Sequence, residues 1–278
     1  MRRLADITLL AALGIALPAH AEEPVYAPSL RVCADPNNLP FSNQAGEGFE
    51  NKLAQMVART LGWSVTYTWW AQRRGFVRQT LKAGLCDVVM GVPAHYDLVE
   101  TTKPYYRSSY VFISRAERRL DLSSLDDPRL HALSIGVHLI GDDGNNPPPA
   151  HALGQEGIID NVRGYPIYGD YRQPNPPARL IDAVSAGEID VAAAWGPLAG
   201  YFAKQSSVPL AVTPIDDDGR FAPLRFRFAI AMGVRKGDDV LRDRLNGFID
   251  DNKAAITALL ASYGVPLVGS AQTASGGH

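Results

Sequence analysis

A six-residue pattern occurs twice in this chain and constrains the fold more than any other feature. Residues 83–88 read Ala-Gly-Leu-Cys-Asp-Val, and residues 186–191 read Ala-Gly-Glu-Ile-Asp-Val. Gly84 and Gly187 each follow a helix-like run, at the position where a helix ends on a left-handed residue. The apolar run after each glycine predicts a strand buried on both faces. Because this helix–glycine–strand unit is used twice, the sequence predicts two similar α/β lobes with a cleft between them.

The rest of the chain continues this alternation of strands and helices. Helical patterns cover residues 50–61, 75–83, 179–186, 197–205 and 239–262, and strand patterns cover residues 30–34, 65–69, 88–90, 110–113, 133–137, 191–194 and 226–231. Such alternation favours parallel sheets flanked by helices. We expect lobe 1 to comprise residues 29–112 plus 224–268, and lobe 2 to comprise residues 113–223. The two crossover segments would then serve as a hinge.

The two ends of the chain do not read as parts of either lobe. Arg2 and Arg3, an apolar stretch over residues 7–17 and an Ala-x-Ala sequence at 19–21 predict a signal peptide over residues 1–21. Residues 269–278 read as a disordered tail. The apolar stretch is short for a membrane span, so we expect an exported, periplasmic protein without one.

Two cysteines in an exported chain are candidates for a disulfide. Cys33 lies in the first predicted strand, and Cys86 lies at the head of the next central strand. Neighbouring parallel strands would bring them close, and closing this loop would contribute roughly 4 kcal/mol in the chain-entropy model. Two free buried thiols are the alternative.

Composition and motifs exclude several classes of function. With 27 Lys and Arg against 29 Asp and Glu, the chain gives no reason to expect nucleic acid as a partner. No P-loop, G-x-G-x-x-G, G-x-S-x-G or H-E-x-x-H motif occurs. His138, Asp142, Asp143 and His151, and the run 216–218, match no metal-binding spacing. We therefore expect no catalytic set, metal or cofactor in the protein itself.

Several segments in order resemble a type 2 periplasmic solute-binding protein, in which a solute lies between two hinged lobes. They are LRVCADPNNLPFSN, GFENKLAQMVARTLGW, LKAGLCDVVMGVPA, KPYYRSSYVFISR, LSIGVH, SAGEIDVAAAW and IAMGVRKGDDVL. The resemblance implies an arginine eight residues before the Lys103 position in amino-acid binders, and an aspartate after the second-lobe strand. His95 and Trp195 stand at these places. Because both charged ligand clamps are missing, capture of a free amino acid is disfavoured.

A narrower resemblance is carried by both predicted lobes. GYPIYGDY, PNPPAR, WGPLAGY and WAQRRGF resemble the MxaJ/XoxJ family, the binding-protein-like members of methanol-oxidation clusters. That resemblance implies a periplasmic accessory protein for the assembly, activation or maturation of a pyrroloquinoline-quinone (PQQ)-dependent methanol dehydrogenase. Its cytochrome c is a second possible partner. Any link to PQQ, calcium or a lanthanide would be indirect, and the sequence does not separate the calcium-dependent branch from the lanthanide-dependent one.

The candidate residues for the cleft or for partner binding are mainly aromatic and basic. They are Asn38, Phe41, Trp70, Arg73, Arg74, Tyr96, Tyr168 and Trp195. Aromatic groups suit apolar pockets and partner anchors alike. The basic cluster of Arg73, Arg74 and Arg78 would bind an anionic cofactor or an acidic partner surface, or would form a solvated helix face.

Three functions follow in order of preference. The first is a non-catalytic accessory protein that docks onto a quinoprotein dehydrogenase. The second is a solute receptor of an importer for a ligand that is not an amino acid. The third is a dehydratase-type enzyme using Glu50 or Asp170, for which surface or hinge positions are the preferred alternative.

Overall fold

A computed structural model of the protein describes residues 28–139, 146–167 and 171–269. The predicted signal peptide, the tail from residue 270, Asp142, Asp143, Tyr168 and Asp170 lie outside these described residues. Expectations for those segments therefore stay predictions.

Strands and helices alternate along most of the described chain. The strands are β1 (Ser29–Ala34), β2 (Asn37–Asn38), β3 (Ser42–Asn43), β4 (Ser64–Trp69), β5 (Val88–Pro93), β6 (Glu100–Thr101), β7 (Tyr106–Arg115), β8 (Ile135–Leu139), β9 (Val162–Pro166), β10 (Val191–Trp195), β11 (Leu210–Pro214) and β12 (Arg227–Val234). The α-helices are α1 (Phe49–Leu61), α2 (Phe76–Gln79), α3 (Pro148–Gln155), α4 (Arg179–Ala186), α5 (Gly196–Gln205), α6 (Asp239–Asp251) and α7 (Lys253–Ser262). Every predicted strand and helix overlaps one of these elements.

The principal sheet runs through the molecule in the order β4-β1-β5-β12-β7-β10-β8-β9. β1 pairs in parallel with β4 and β5, and β8 pairs in parallel with β9 and β10. β12 is antiparallel to β5 and β7, and β10 and β11 are antiparallel to β7. The predicted parallel pairing is therefore found in both lobes, and β7, β11 and β12 add antiparallel pairs to it. β7 leads from one lobe to the other and β12 returns, so these two strands run in opposite directions.

β7 belongs to both lobes. Its first part, from Tyr106 to Ser109, pairs with β12, and its second part, from Tyr110 to Ser114, pairs with β10. The return segment joins it at the same place, because the amide of Tyr110 donates to the carbonyl oxygen of Phe226 at 2.7 Å. The two connections between lobes thus run side by side. The predicted lobe limits at 112/113 and 223/224 stay a prediction.

Each lobe has its own buried core. In lobe 1 the apolar face of α1, including Phe49, Leu53 and Val57, packs with β5, β12 and the two C-terminal helices. In lobe 2 one cluster packs around β8 and α3, and another lies between β7, β10, α4 and α5. Leu39, from the loop between β2 and β3 of lobe 1, joins this last cluster. The two lobes therefore contact each other directly at the cleft.

The repeated sequence pattern forms the same local structure in both lobes. Gly84 and Gly187 have φ angles of 74° and 76°, the left-handed region in which glycine is favoured. The amide of Asp87 donates to the carbonyl of Arg31 in the neighbouring strand β1, at 2.7 Å. The amide of Asp190 donates to the carbonyl of Ser134, just before the neighbouring strand β8, at 2.9 Å. Both carboxylates form ion pairs with arginines. Asp87 pairs with Arg31 and Arg235, whereas Asp190 pairs with Arg118.

Two predicted helices differ from the observed ones. The helix expected over residues 75–83 extends only over α2, because the Thr80 hydroxyl donates to the Phe76 carbonyl at 2.7 Å and a turn follows. The helix expected over 239–262 is broken at Asn252, whose side-chain amide donates to the Phe248 carbonyl at 2.9 Å and so takes part in ending α6.

The cysteines form the predicted disulfide. Cys33 and Cys86 are joined with their Cα atoms 5.5 Å apart, and both are buried in the cluster between α2 and the sheet. Within the residues that the structure describes, no helix has the length and apolarity needed to cross a bilayer.

Candidate functional site

An apolar pocket of about 240 Å³ lies in the cleft at the carboxyl end of β5. Residues of both lobes line it: Asn38, Phe41, Glu50, Gln72, Gly91, Val92, Pro93, Tyr106 and Ile230 from lobe 1, and His138, Ile167, Trp195 and Leu198 from lobe 2. Among the residues that the structure describes, the lining includes no lysine, arginine or aspartate. The predicted absence of charged clamps for an amino acid agrees with this lining.

Glu50 places one carboxyl in this apolar pocket. It lies in the first turn of α1, which ordinarily faces solvent at a lobe surface, but here the turn faces the cleft. Gly91 makes room for it, because a Cβ at Gly91 would collide with Glu50 Oε1. Among the described residues no group hydrogen-bonds this carboxyl, and burial raises its pKa to about 8. The protonated form of Glu50 is therefore favoured at neutral pH. The structure places this half-buried side chain in the cleft, where the sequence analysis preferred a surface or hinge position.

Two other polar side chains of the pocket, Asn38 and His138, have partners within the protein. Asn38 Nδ2 donates to Gln72 Oε1 at 3.3 Å. His138 Nε2 lies 3.3 Å from the carbonyl oxygen of Pro177, and burial lowers the His138 pKa to about 4. Both shifts favour the uncharged forms of Glu50 and His138 at neutral pH.

Trp195 forms the lobe 2 wall of the pocket. It ends β10 and precedes Pro197, which stands in the first turn of α5. Its ring lies 5.3 Å from that of Tyr110 and 5.9 Å from that of Phe228, so aromatic contacts fix its orientation. Because it also packs against the lobe 1 core, Trp195 contacts both lobes.

A bridging segment, residues 171–175 of lobe 2, closes the mouth of the cleft. The Tyr171 hydroxyl donates to Asp35 Oδ2 at 2.8 Å, and Asn37 Nδ2 donates to the Gln173 carbonyl at 2.8 Å. The amide of Asn175 donates back to Asn37 Oδ1 at 3.3 Å. Asp35 is held in place by the backbone amides of Asn37 and Gln72, which both donate to it. The sequence analysis did not identify Asp35 or Tyr171 as closing residues.

A second depression of about 570 Å³, the arginine groove, adjoins the pocket. Its basic and aromatic lining residues are Arg73, Arg74, Arg78, Phe76 and Tyr96. Gln72, Gly91, Val92 and Pro93 line both depressions and form a shared wall. The guanidinium of Arg73 lies 5.8 Å from the centre of the Tyr171 ring, at the edge of the bridging segment.

The predicted candidate residues fall into separate groups. Asn38, Phe41 and Trp195 meet in the pocket, and Arg73, Arg74 and Tyr96 meet in the arginine groove. Trp70 is 45% exposed and lines neither depression. Tyr168 is outside the described residues.

His95 stands outside both depressions. It is an exposed turn residue with a φ angle of 63°, and it lines neither the pocket nor the arginine groove. Its side chain is therefore not positioned to replace an arginine against a ligand in the cleft.

The described ranges contain no group of three or more histidine, cysteine or acidic side chains placed to hold a metal ion. His138 instead faces Pro177 in the lobe 2 core.

Comparisons with known proteins agree with this architecture. The profile of the bacterial extracellular solute-binding proteins, family 3, matches residues 30–265. MoxJ of Methylorubrum extorquens is 36% identical over 256 residues, which are 87% of this chain and 82% of MoxJ. The crystal structure of the periplasmic binding protein XoxJ from Methylobacterium extorquens AM1 superposes with a TM-score of 0.71 at 38% identity, covering 87% of this chain and 100% of XoxJ. That of MxaJ from Methlophaga aminisulfidivorans MPT gives 0.75 at 29% identity, covering 86% and 100%.

The chain belongs to the bacterial extracellular solute-binding proteins, family 3, the class whose two-lobed fold and central cleft are described above. Its likeness to MoxJ, XoxJ and MxaJ extends over most of both chains in each pair. Within the family it therefore stands with these three proteins, and both resemblances seen in the sequence are confirmed.

Proposed function

We propose that this protein is a non-catalytic periplasmic accessory protein that docks onto a PQQ-dependent methanol or alcohol dehydrogenase and supports its assembly, maturation or activation. The observation that carries the proposal is the cleft pocket, whose described lining has no lysine, arginine or aspartate and includes Trp195 where amino-acid binders have a ligand clamp. Such a pocket does not suit a free amino acid, since a zwitterion would lose its charge-assisted contacts there. The likeness to XoxJ, a periplasmic binding protein by its own description, supports the location.

Direct contacts between the lobes give a second line of support. In a transport receptor the solute itself bridges the lobes and so stabilises the closed form. Here the bonds of Asp35 and Asn37 to residues 171–175 perform that bridging. A protein that is closed by its own residues is better suited to present a fixed surface to a partner than to signal the capture of a solute.

The test is complex formation. The mature protein is mixed with the apo and the holo form of a PQQ-dependent methanol dehydrogenase, and native mass spectrometry records any complex. We expect a specific complex that forms preferentially with the apoenzyme. If neither form binds at concentrations well above micromolar, the proposal fails. The alternative hypothesis, a solute receptor for an uncharged or apolar ligand, would then be tested by ligand screening.

A further inference from the structure

The pocket and the arginine groove differ in electrical character although they share a wall. The pocket is lined by aromatic and aliphatic side chains and contains two uncharged titratable groups, Glu50 and His138. The groove is basic, with exposed Arg73 and Arg78 on one side of the wall formed by Gln72 and residues 91–93. A single occupant that fills both depressions must therefore be apolar at one place and negatively charged at another.

Two arginines of the groove, Arg73 and Arg78, expose their charge to solvent. Within the described ranges neither Arg73 nor Arg78 forms an ion pair, whereas Arg31, Arg235 and Arg242 of the same lobe do so. Arg73 is held over the Tyr171 ring, which orients the guanidinium without cancelling its charge. Both guanidinium groups are therefore available to pair with carboxylates of a binding partner.

The size of the pocket indicates what kind of molecule binds there. At about 240 Å³, the pocket is smaller than the roughly 300–1,000 Å³ typical of small-molecule sites. It accommodates one bulky side chain. The unpaired Glu50 carboxyl can, in its neutral form, donate to a carbonyl oxygen, which a peptide backbone carries at every residue.

We infer that the pocket and the arginine groove together bind one extended acidic peptide segment of a protein partner. A bulky apolar side chain of the segment fills the pocket beside Trp195. Carboxylates a few residues away cross the shared wall and pair with Arg73 and Arg78. This inference rests on the proposed function in naming the surface by which the partner is recognised.

The test uses synthetic peptides and no dehydrogenase. A fluorescein-labelled peptide acetyl-Gly-Phe-Gly-Glu-Asp-Glu-Gly is titrated with the mature protein and followed by fluorescence anisotropy. Two control peptides are matched to it. One carries serine in place of phenylalanine, and the other carries lysine in place of each acidic residue. We expect saturable binding of the first peptide alone, and weaker binding at high ionic strength.

Protein variants then locate the binding. Arg78→Gln is expected to weaken binding of the acidic peptide about fivefold, as for a partly exposed ion pair. The control Lys82→Gln removes an equal charge from an exposed residue that does not line the groove, and should leave binding unchanged. Equal losses for Arg78→Gln and Lys82→Gln, equal binding of the lysine peptide, or no binding of the acidic peptide up to millimolar concentration would each overturn the inference.

A small-molecule arm separates a peptide from a free carboxylate. If 3-phenylpropionate binds as tightly as the acidic peptide, the site is for a small apolar anion and the peptide assignment is overturned. Failure of the inference can also be told from failure of the proposed function. A dehydrogenase complex that Arg78→Gln leaves unaffected contradicts only the inference, whereas peptide binding without any dehydrogenase complex contradicts only the proposed function.

Discussion

The hydroxyl of Tyr171 donates a hydrogen bond to Asp35 Oδ2 at 2.8 Å, and this bond joins the two lobes across the mouth of the cleft. Asp35 is already fixed by two backbone amides of its own lobe, so it offers Tyr171 a preset acceptor. The bond is charge-assisted, which makes it stronger than one between neutral groups. The closed form of this protein is thus stabilised from within.

We expect Tyr171→Phe to shift the protein toward an open form. The variant keeps the ring below Arg73 but removes the hydroxyl, at a cost of about 1–2 kcal/mol to the closed state. Small-angle X-ray scattering should report a larger radius of gyration. Tyr201→Phe is the matched control, because in the described part of the chain that hydroxyl has no hydrogen bond and its ring stacks on Tyr263. Identical scattering profiles for wild type and Tyr171→Phe would mean that this bond does not hold the lobes together.

The stability of the protein should fall as the pH rises from 6.5 to 8. Burial raises the pKa of Glu50 from 4.5 to about 8, so between these values the folded chain retains a proton that the unfolded chain releases. The free energy of unfolding then decreases by up to about 1.4 kcal/mol per pH unit. His138 changes the stability in the opposite sense, because burial lowers its pKa from 6.5 to about 4. Its contribution to the free energy of unfolding rises between these pH values and stays constant above pH 6.5.

The variant Glu50→Gln shows how much of this pH dependence comes from the Glu50 carboxyl. In urea denaturation the wild type should lose up to about 2 kcal/mol of unfolding free energy over this pH interval. The variant should lose less than half as much, because a glutamine does not titrate. His138→Gln serves as the control and should keep the wild-type decrease above pH 6.5. A flat wild-type curve over the same interval would contradict the protonated state assigned to Glu50.

Trp195→Ala should weaken docking without unfolding the chain. A buried tryptophan at the centre of an interface commonly contributes 2 kcal/mol or more, so we expect roughly 30-fold weaker binding to the dehydrogenase. Circular dichroism and the melting temperature report the fold, and titration calorimetry reports the affinity. Ile159→Ala, at an exposed residue of lobe 2 outside both depressions, is the control. Unchanged dehydrogenase binding by Trp195→Ala would remove the cleft from the docking surface.

The disulfide should contribute substantially to stability. Cys33 and Cys86 close a loop with a sequence separation of 53 residues, for which the chain-entropy model gives about 4 kcal/mol. We expect the double variant Cys33→Ala/Cys86→Ala to unfold at correspondingly lower denaturant concentration. Wild-type protein treated with a reductant should behave in the same way, whereas reductant should not affect the variant. A variant as stable as the oxidised wild type would contradict this role.

The repeated pattern predicted the fold well because its residues act locally. Gly84 and Gly187 adopt left-handed turns, and the amide of the aspartate three residues later bonds at the edge of the neighbouring parallel strand, so the pattern forms the same unit in both lobes. The disulfide was predicted for a similar reason, since two adjacent strands determine it. Element ends were less predictable where a single side chain competes with the backbone, as Thr80 and Asn252 do.

The site was predicted only in part because it depends on contacts between distant segments. Nothing near Glu50 in the sequence shows that its carboxyl faces an apolar pocket opposite Gly91, forty-one residues further along the chain. The bond between Tyr171 and Asp35 likewise joins residues 136 positions apart. Trp195 was identified because it directly follows a strand whose carboxyl end must face the cleft, which is a local inference.

The bridging segment has a kinetic consequence. A partner can enter the cleft only after residues 171–175 release Asp35 and Asn37. Association therefore proceeds in two steps, release of the bridging segment and then binding. The observed association rate should then rise with partner concentration only to a plateau, which equals the rate of release. The limiting rate of engagement is therefore a property of this chain and not of its partner, and the bonds of Tyr171, Gln173 and Asn175 determine it.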